Sequence, residues 1–516
     1  MIRARELAWS VFGIAAFLAA ICVIRVERLP VRNLTLSDRC HTPVSVIDPP
    51  SGTASTRISE QQSGLPAAIV IHGLSANRRV MFSIGQTLAR AGVRAYLFDS
   101  PGEGDSSENF SFAAAESCAG DAADALVANN EISIPATVFV GHSLGGAIAI
   151  RLADRFPDAA GTIAISPAPL VPPRHVPANA LILSAQFDPP ELAGPARKLV
   201  QQLGGLRAAP GDFRERRAVG FERVPWAMHS SVLADSLVNT KIASWARRSV
   251  GLEPPVANDR RELIVLFGFL LGAAGIAATL PFFATFVCSA LHITVARIRE
   301  NISLPLSFKR LALINLLAAV FSVALLVLGV PLRVLHLYSA DYLASFMSLA
   351  GLILIALLPQ RARAAFRFDA KQVLASVVLA ISIAFAAALW TNWQFADLWP
   401  TARRALLILP LAAVTWPYFA AEETAVGPIG TRSLLKRWLI FIAMRFILLA
   451  ALVLGYYGFA NGEFLPVLMC PALALVSVGQ RAASELLQRR APSLAGAATL
   501  DAILAAWFLA AVFPIR

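Results

Sequence analysis

Apolar and polar positions follow two regimes along the 516-residue chain. Up to about residue 250 the apolar runs are mostly short and separated by polar, glycine- or proline-bearing turns; beyond residue 262 they lengthen to bilayer scale. The exception is an early apolar segment at 7–24, preceded by Arg3 and Arg5. It is long enough to span a bilayer, and no small-x-small cleavage site follows before Arg25 and Arg28, so it reads as an uncleaved anchor. Residues 30–64 are polar and broken by Pro, Ser and Gly, with strand-like patches at 33–36 and 44–47 that fit the first antiparallel strands of a sheet. Apolar, often β-branched runs at 67–71, 94–98, 138–140, 162–166, 180–187 and 221–228 predict buried strands. Helical patterns lie at 111–129, 147–150, 191–203 and 230–250.

A Pro-rich, charged stretch at 253–262 reads as a linker between a domain at 29–252 and a polytopic helical membrane domain at 263–516, with the anchor at 1–28. Apolar spans fall at 263–291, 311–331, 342–359, 372–391, 405–420, 438–459, 464–479 and 493–513. The first exceeds one upright helix and is taken as a single tilted one. Composition agrees: 57% of residues are hydrophobic and only 15% charged, too apolar for a soluble protein of this length. Alternate loops carry basic clusters: Arg297, Arg299, Lys309 and Arg310; Arg361 to Lys371; Arg432, Lys436 and Arg437; Arg481, Arg489 and Arg490. The positive-inside rule makes these loops cytoplasmic, which puts the 29–252 domain outside the cytoplasm, the arrangement expected of a bacterial inner-membrane protein. The net charge of +12 therefore reads as topology and headgroup contact, with no nucleic-acid partner implied.

Candidate chemistry centres on Val138-Phe139-Val140-Gly141-His142-Ser143-Leu144-Gly145-Gly146: strand, Gly-x-Ser-x-Gly turn, helix. Downstream, one strand delivers Asp188 before Pro189-Pro190, and another runs up to His229. Upstream are a strand ending in His72-Gly73-Leu74 and the turn Asp99-Ser100-Pro101-Gly102-Glu103-Gly104-Asp105-Ser106. These four motifs, in this order, resemble the α/β-hydrolase superfamily over roughly residues 34–250, with Glu103 where a histidine is common. The resemblance implies an α/β fold with Ser143 as nucleophile, His229 as base and Asp188 orienting it. It also implies an oxyanion hole from the Leu74 and Leu144 amides, and neither cofactor nor metal. The short connection at 167–177 leaves no room for a cap domain.

The implied activity is a membrane-integrated serine hydrolase of acyl esters, with a lipid or acylated envelope component as substrate and the bilayer as partner. Two alternatives stand beside it: an acyltransferase using the same triad, and a membrane transporter or scaffold with an accessory hydrolase domain. The remaining histidines lack metal-ligand spacing, and the five cysteines include no C-x-x-C pair. Cys40 and Cys118, the only ones outside apolar spans, are either buried thiols or a bridge tying the first strand region to the helix before the nucleophile strand. Two charges fall inside spans, Arg445 and Asp501. They are expected to pair across helices, or else to snorkel and to stay protonated respectively.

Overall fold

A computed structural model describes residues 4–51, 65–169, 173–253, 261–293, 307–329, 335–360, 363, 366–392, 396–429, 432–459 and 463–516. By contact density the chain forms two compact units: one of 18–272, 390–397 and 514–516, the other of 1–17, 273–389 and 398–513.

The first unit is built on a sheet of eight strands: β1 (Val31–Thr35), β2 (Pro43–Ile47), β3 (Ala67–Ile71), β4 (Arg94–Phe98), β5 (Thr137–His142), β6 (Gly161–Ile165), β7 (Ala180–Ala185) and β8 (Val219–Val224). Their order is β1-β2-β4-β3-β5-β6-β7-β8. The patches at 33–36 and 44–47 do form the antiparallel start, β1 on β2 and β2 on β4, and every later pairing is parallel. β3, β5, β6 and β7 are buried along their whole length, which is why they read as unbroken apolar runs and not as alternation.

Helices cover both faces. The α2 (Phe82–Arg90) and α7 (Ser236–Ser249) helices, with the short α6 (Pro210–Arg214) beside α7, bury Ile84, Leu88, Ile242 and Trp245 against one face. On the other, α4 (Leu144–Arg155) and α5 (Pro190–Gln202) bury Ile150, Ala196 and Val200, with α3 (Phe112–Ala128) beside α4. The helix expected from 230 starts later, at Ser236, because Asp235 caps it by accepting from the Leu237 and Val238 amides. Cys40 and Cys118 form a disulfide, with Cα atoms 5.8 Å apart, that ties the β1–β2 connection to α3. Among the described residues no cap domain is inserted between β6 and β7. Trp390–Asp397 and Pro514–Arg516 also belong to this unit. Arg79 pairs with Asp397, and Ile515 exchanges backbone hydrogen bonds with the Gly102–Phe110 turn.

Eight of the described helices are long and apolar enough to cross a bilayer, the make-up of a multi-pass membrane protein. They are α1 (Ala4–Glu27), α8 (Arg261–Ala290), α9 (Phe308–Val327), α10 (Ala340–Leu357), α11 (Ala370–Asn392), α12 (Ala402–Val426), α13 (Leu434–Phe459) and α16 (Leu494–Val512). The stretch expected as one span at 464–479 instead breaks at Met469 into α14 (Phe464–Leu468) and α15 (Cys470–Gln488), where Pro471 lacks an amide to continue the first helix. In the second unit α12 packs along α16 and α10. Close approach rests on small side chains, Ala498, Ala502 and Ala506 of α16 among them.

The expected Arg445–Asp501 pair is not formed. The α12 helix continues past the apolar limit at 420 and brings Glu422 to Arg445, whose planar fork takes both carboxylate oxygens at 2.7 Å. Asp501 instead accepts from Ser484 Oγ at 2.7 Å.

Candidate active site

The central strand β5 ends at His142, and Ser143 forms the turn into α4 with φ +53° and ψ −116°. A non-glycine residue held there costs about 1–3 kcal/mol. The turn is over-determined: Ser143 N–H donates to Ile165 O (2.8 Å), and Ser143 O accepts from Ala147 (3.1 Å) and Ala168 (3.0 Å) amides. Side chains at the flanking glycines would collide with backbone. A Cβ on Gly141 would lie 2.0 Å from Gly145 O, and one on Gly145 would lie 2.3 Å from Ile71 O. The apolar β5 run and the glycine pair thus together raise the serine above the sheet's C-terminal edge.

Asp188 follows β7 and His229 follows β8, so neighbouring parallel strands bring both to that same edge. His229 Nδ1 donates to Asp188 Oδ1 at 2.8 Å, leaving Nε2 free to take a proton. Asp188 Oδ2 accepts from Ser166 Oγ (2.6 Å), Ser184 Oγ (3.2 Å) and the Ala185 amide (2.8 Å). Burial alone would raise the Asp188 carboxyl, but the hydrogen bonds from His229 and Ser166 outweigh it and hold the group below its ordinary range. Among the described residues the serine hydroxyl makes no hydrogen bond; such contacts commonly tighten only once substrate binds.

Two buried histidines frame the site. His142 donates from Nε2 to His229 O at 2.8 Å, and their ring centroids lie 4.7 Å apart. Burial, then the neighbouring His229, pushes the His142 imidazole down to about 3, so it remains a neutral strut. His72 donates from Nδ1 to Gly73 O (2.8 Å) and accepts the Ser100 amide at Nε2 (3.0 Å). Burial also lowers its pKa, and Asp99 only partly offsets this.

Leu74 and Leu144 flank the nucleophile. Leu144 opens α4, where amides lack intrahelical partners. Leu74 follows Gly73, where a Cβ would meet Ser143 Cβ at 2.9 Å. The Glu103 carboxylate accepts the amide of Ser75, one residue beyond Leu74. Sequence reasoning noted Glu103 only as a departure from the family pattern; its role as a clamp on this turn, like that of Ser166 on Asp188, depends on loop-to-loop contacts that no local motif encodes. Phe187 and Trp226, beside the acid and histidine loops, are exposed with ring centroids 6.3 Å apart, and Met228 is exposed next to His229. Among the described residues no group of three or more His, Cys, Asp or Glu side chains could hold a metal ion.

Comparison with known proteins matches residues 68–265 to the alpha/beta hydrolase family. No curated protein matches the chain. Similar solved structures include TT1662 from Thermus thermophilus, with 14% identity over 43% of this chain and 98% of that one (TM-score 0.33). XC6422 from Xanthomonas campestris, described as a serine hydrolase without lid, shares 16% identity over 43% of this chain and 94% of its own (TM-score 0.32). An esterase of Pyrobaculum calidifontis shares 16% over 54% and 95% respectively (TM-score 0.32). Residues 68–265 are a hydrolase domain of the α/β-hydrolase superfamily.

Proposed function

We propose that the protein is a membrane-integrated serine hydrolase that cleaves acyl esters through Ser143, His229 and Asp188. The observation that carries this reading is the 2.8 Å His229–Asp188 hydrogen bond beside a serine held at positive φ. Ser143 attacks the acyl carbonyl while His229 Nε2 takes its proton, and the Leu74 and Leu144 amides receive the oxyanion. His229 then protonates the leaving alcohol, and water releases the acyl group from Ser143 by the same steps. The exposed Phe187, Trp226 and Met228 support an acyl substrate with a substantial apolar part, such as a lipid or acylated envelope component.

The hydrolase domain works on the extracytoplasmic side, with a bacterial inner membrane as its setting. A disulfide persists there and not in a reducing cytosol, and the basic loops favour the same orientation. The Trp390–Asp397 segment, which that topology assigns to the same side, is compact with the hydrolase domain.

A fluorophosphonate probe tests the reading. Full-length protein in nanodiscs should be labelled, and Ser143→Ala should lose at least 100-fold of that labelling, the scale of an activated nucleophile over a surface hydroxyl. Equal labelling of both proteins, or none of folded wild type, overturns it.

A further inference from the structure

The membrane-helix unit contains a buried ionic network that the hydrolase reading does not use. Three guanidiniums belong to it. Arg445 of α13 holds Glu422; Arg481 of α15 donates to Glu423 at 2.5 Å; Arg437, in the first turn of α13, donates to Glu485 at 2.7 Å. All six side chains are buried. Arg437 also reaches the Gly427 carbonyl at the end of α12, so the network begins at the α12–α13 connection. It ends at Asp501, the eighth residue of the 19-residue α16 and roughly 10 Å along that helix.

The charges do not balance. Set against Arg437, Arg445 and Arg481 are Glu422, Glu423, Glu485 and Asp501, three positive groups and four carboxyls. Two further guanidiniums lie outside the count: Arg404, also buried, is engaged by carbonyls at the far end of α16, and Arg432, half-buried at the α12–α13 connection, donates to the Ala425 and Val426 carbonyls at the end of α12. Among the described residues Asp501 receives no guanidinium, only the Ser484 hydroxyl, and it is 1% exposed. The groups facing it are Glu422 and Glu423 from α12, Arg481 from α15 and Arg445 from α13; α11 contributes Ser376 and apolar residues to the packing on α16. A lone carboxylate at that depth, with two others near it, is far costlier than a neutral acid.

A cavity of about 40 Å³ adjoins the network. Arg445, Ser477 and Gln480 form its polar wall, and Gln480 Nε2 donates to the Asp501 backbone carbonyl at 2.7 Å. The space admits at least one water.

We propose that Asp501 is a proton-binding site: it carries one exchangeable proton within the membrane domain, acquired from and returned to the aqueous side on which the α12–α13 connection lies. The step is a simple protonation of carboxylate by solvent, with no co-reactant. The bound proton brings the network to neutrality, and its loss leaves one net negative charge that the three guanidiniums no longer balance.

Infrared spectroscopy of the full-length protein in phosphatidylcholine nanodiscs reads this out. At neutral pH the wild type should show a protonated-carboxyl band that shifts on transfer to D2O and disappears in Asp501→Asn. Because asparagine resembles the neutral acid in shape and charge, that variant should melt with the wild type at neutral pH. Glu485→Gln equalises the charges at three and three, so it should also remove the band by allowing Asp501 to ionise. The proposal is overturned if folded wild type shows no such band, if the band survives in Asp501→Asn or does not exchange, or if Asp501→Asn is markedly destabilised at neutral pH. Stability that follows sodium concentration in place of pH would equally overturn it.

Discussion

At the scale of single residues, the site is held by neutral groups in places where charges would be expensive. His142 and His72 are both buried with lowered pKa values, so the folded chain keeps them neutral while the unfolded chain protonates them near pH 6.5. Between those values the unfolded state binds more protons, so stability rises with pH. It is complete above about pH 6.5 and drains away as pH falls toward about 3, the value for His142. One such histidine should cost about 2 kcal/mol between pH 8 and pH 5. Thermal melts across that range should show the loss, and His142→Gln should flatten the curve by removing its share. The placement of Ser143, Asp188 and His229 just after β5, β7 and β8 was legible because an elbow motif and strand-end residues are local signals in fixed chain order. Glu103, Ser166 and Glu422 were not, since each acts on a residue from another element, and the apolar window over α12 stops short of its first carboxylate.

Among the elements, the strands declared themselves through continuous apolar runs, because a parallel sheet covered on both faces has no polar side to show. Helix α2 was missed: nine residues are too few for a periodic pattern to rise above a loop. The bridge between the β1–β2 connection and α3 was legible only as one of two possibilities, since sequence distance says nothing of spatial distance. It closes a loop spanning 78 positions, for which chain entropy predicts about 4–5 kcal/mol of stabilisation. Cys40→Ser should therefore lower the melting temperature of the hydrolase domain in non-reducing buffer, and adding reductant to wild type should reproduce that drop. A variant that melts with the wild type would show that the cross-link adds nothing.

For the molecule as a whole, topology rests on where charges sit between spans. The positive-inside assignment and the exposed position of Glu108 on the hydrolase domain lead to a direct outcome. With the free cysteines replaced, a cysteine at Glu108→Cys should react with an impermeant maleimide on intact cells. One at Lys436→Cys, in the first turn of α13, should react only after permeabilisation. The reverse pattern would place the hydrolase in the cytoplasm. The count of spans was nearly right from hydropathy alone. The exception is α15, whose second half is polar because it lines the ionic network and not the lipid.

The backbone pairing of Ile515 with the Gly102–Phe110 turn also sets an order of events in biogenesis. That turn carries Glu103, whose carboxylate accepts the Ser75 amide, yet Ile515 is synthesised only after α16. With the hydrolase domain on the proposed extracytoplasmic side, this turn would wait unpaired until α16 has been made. On that topology, completion of α16 would serve as a checkpoint on the turn that holds Glu103.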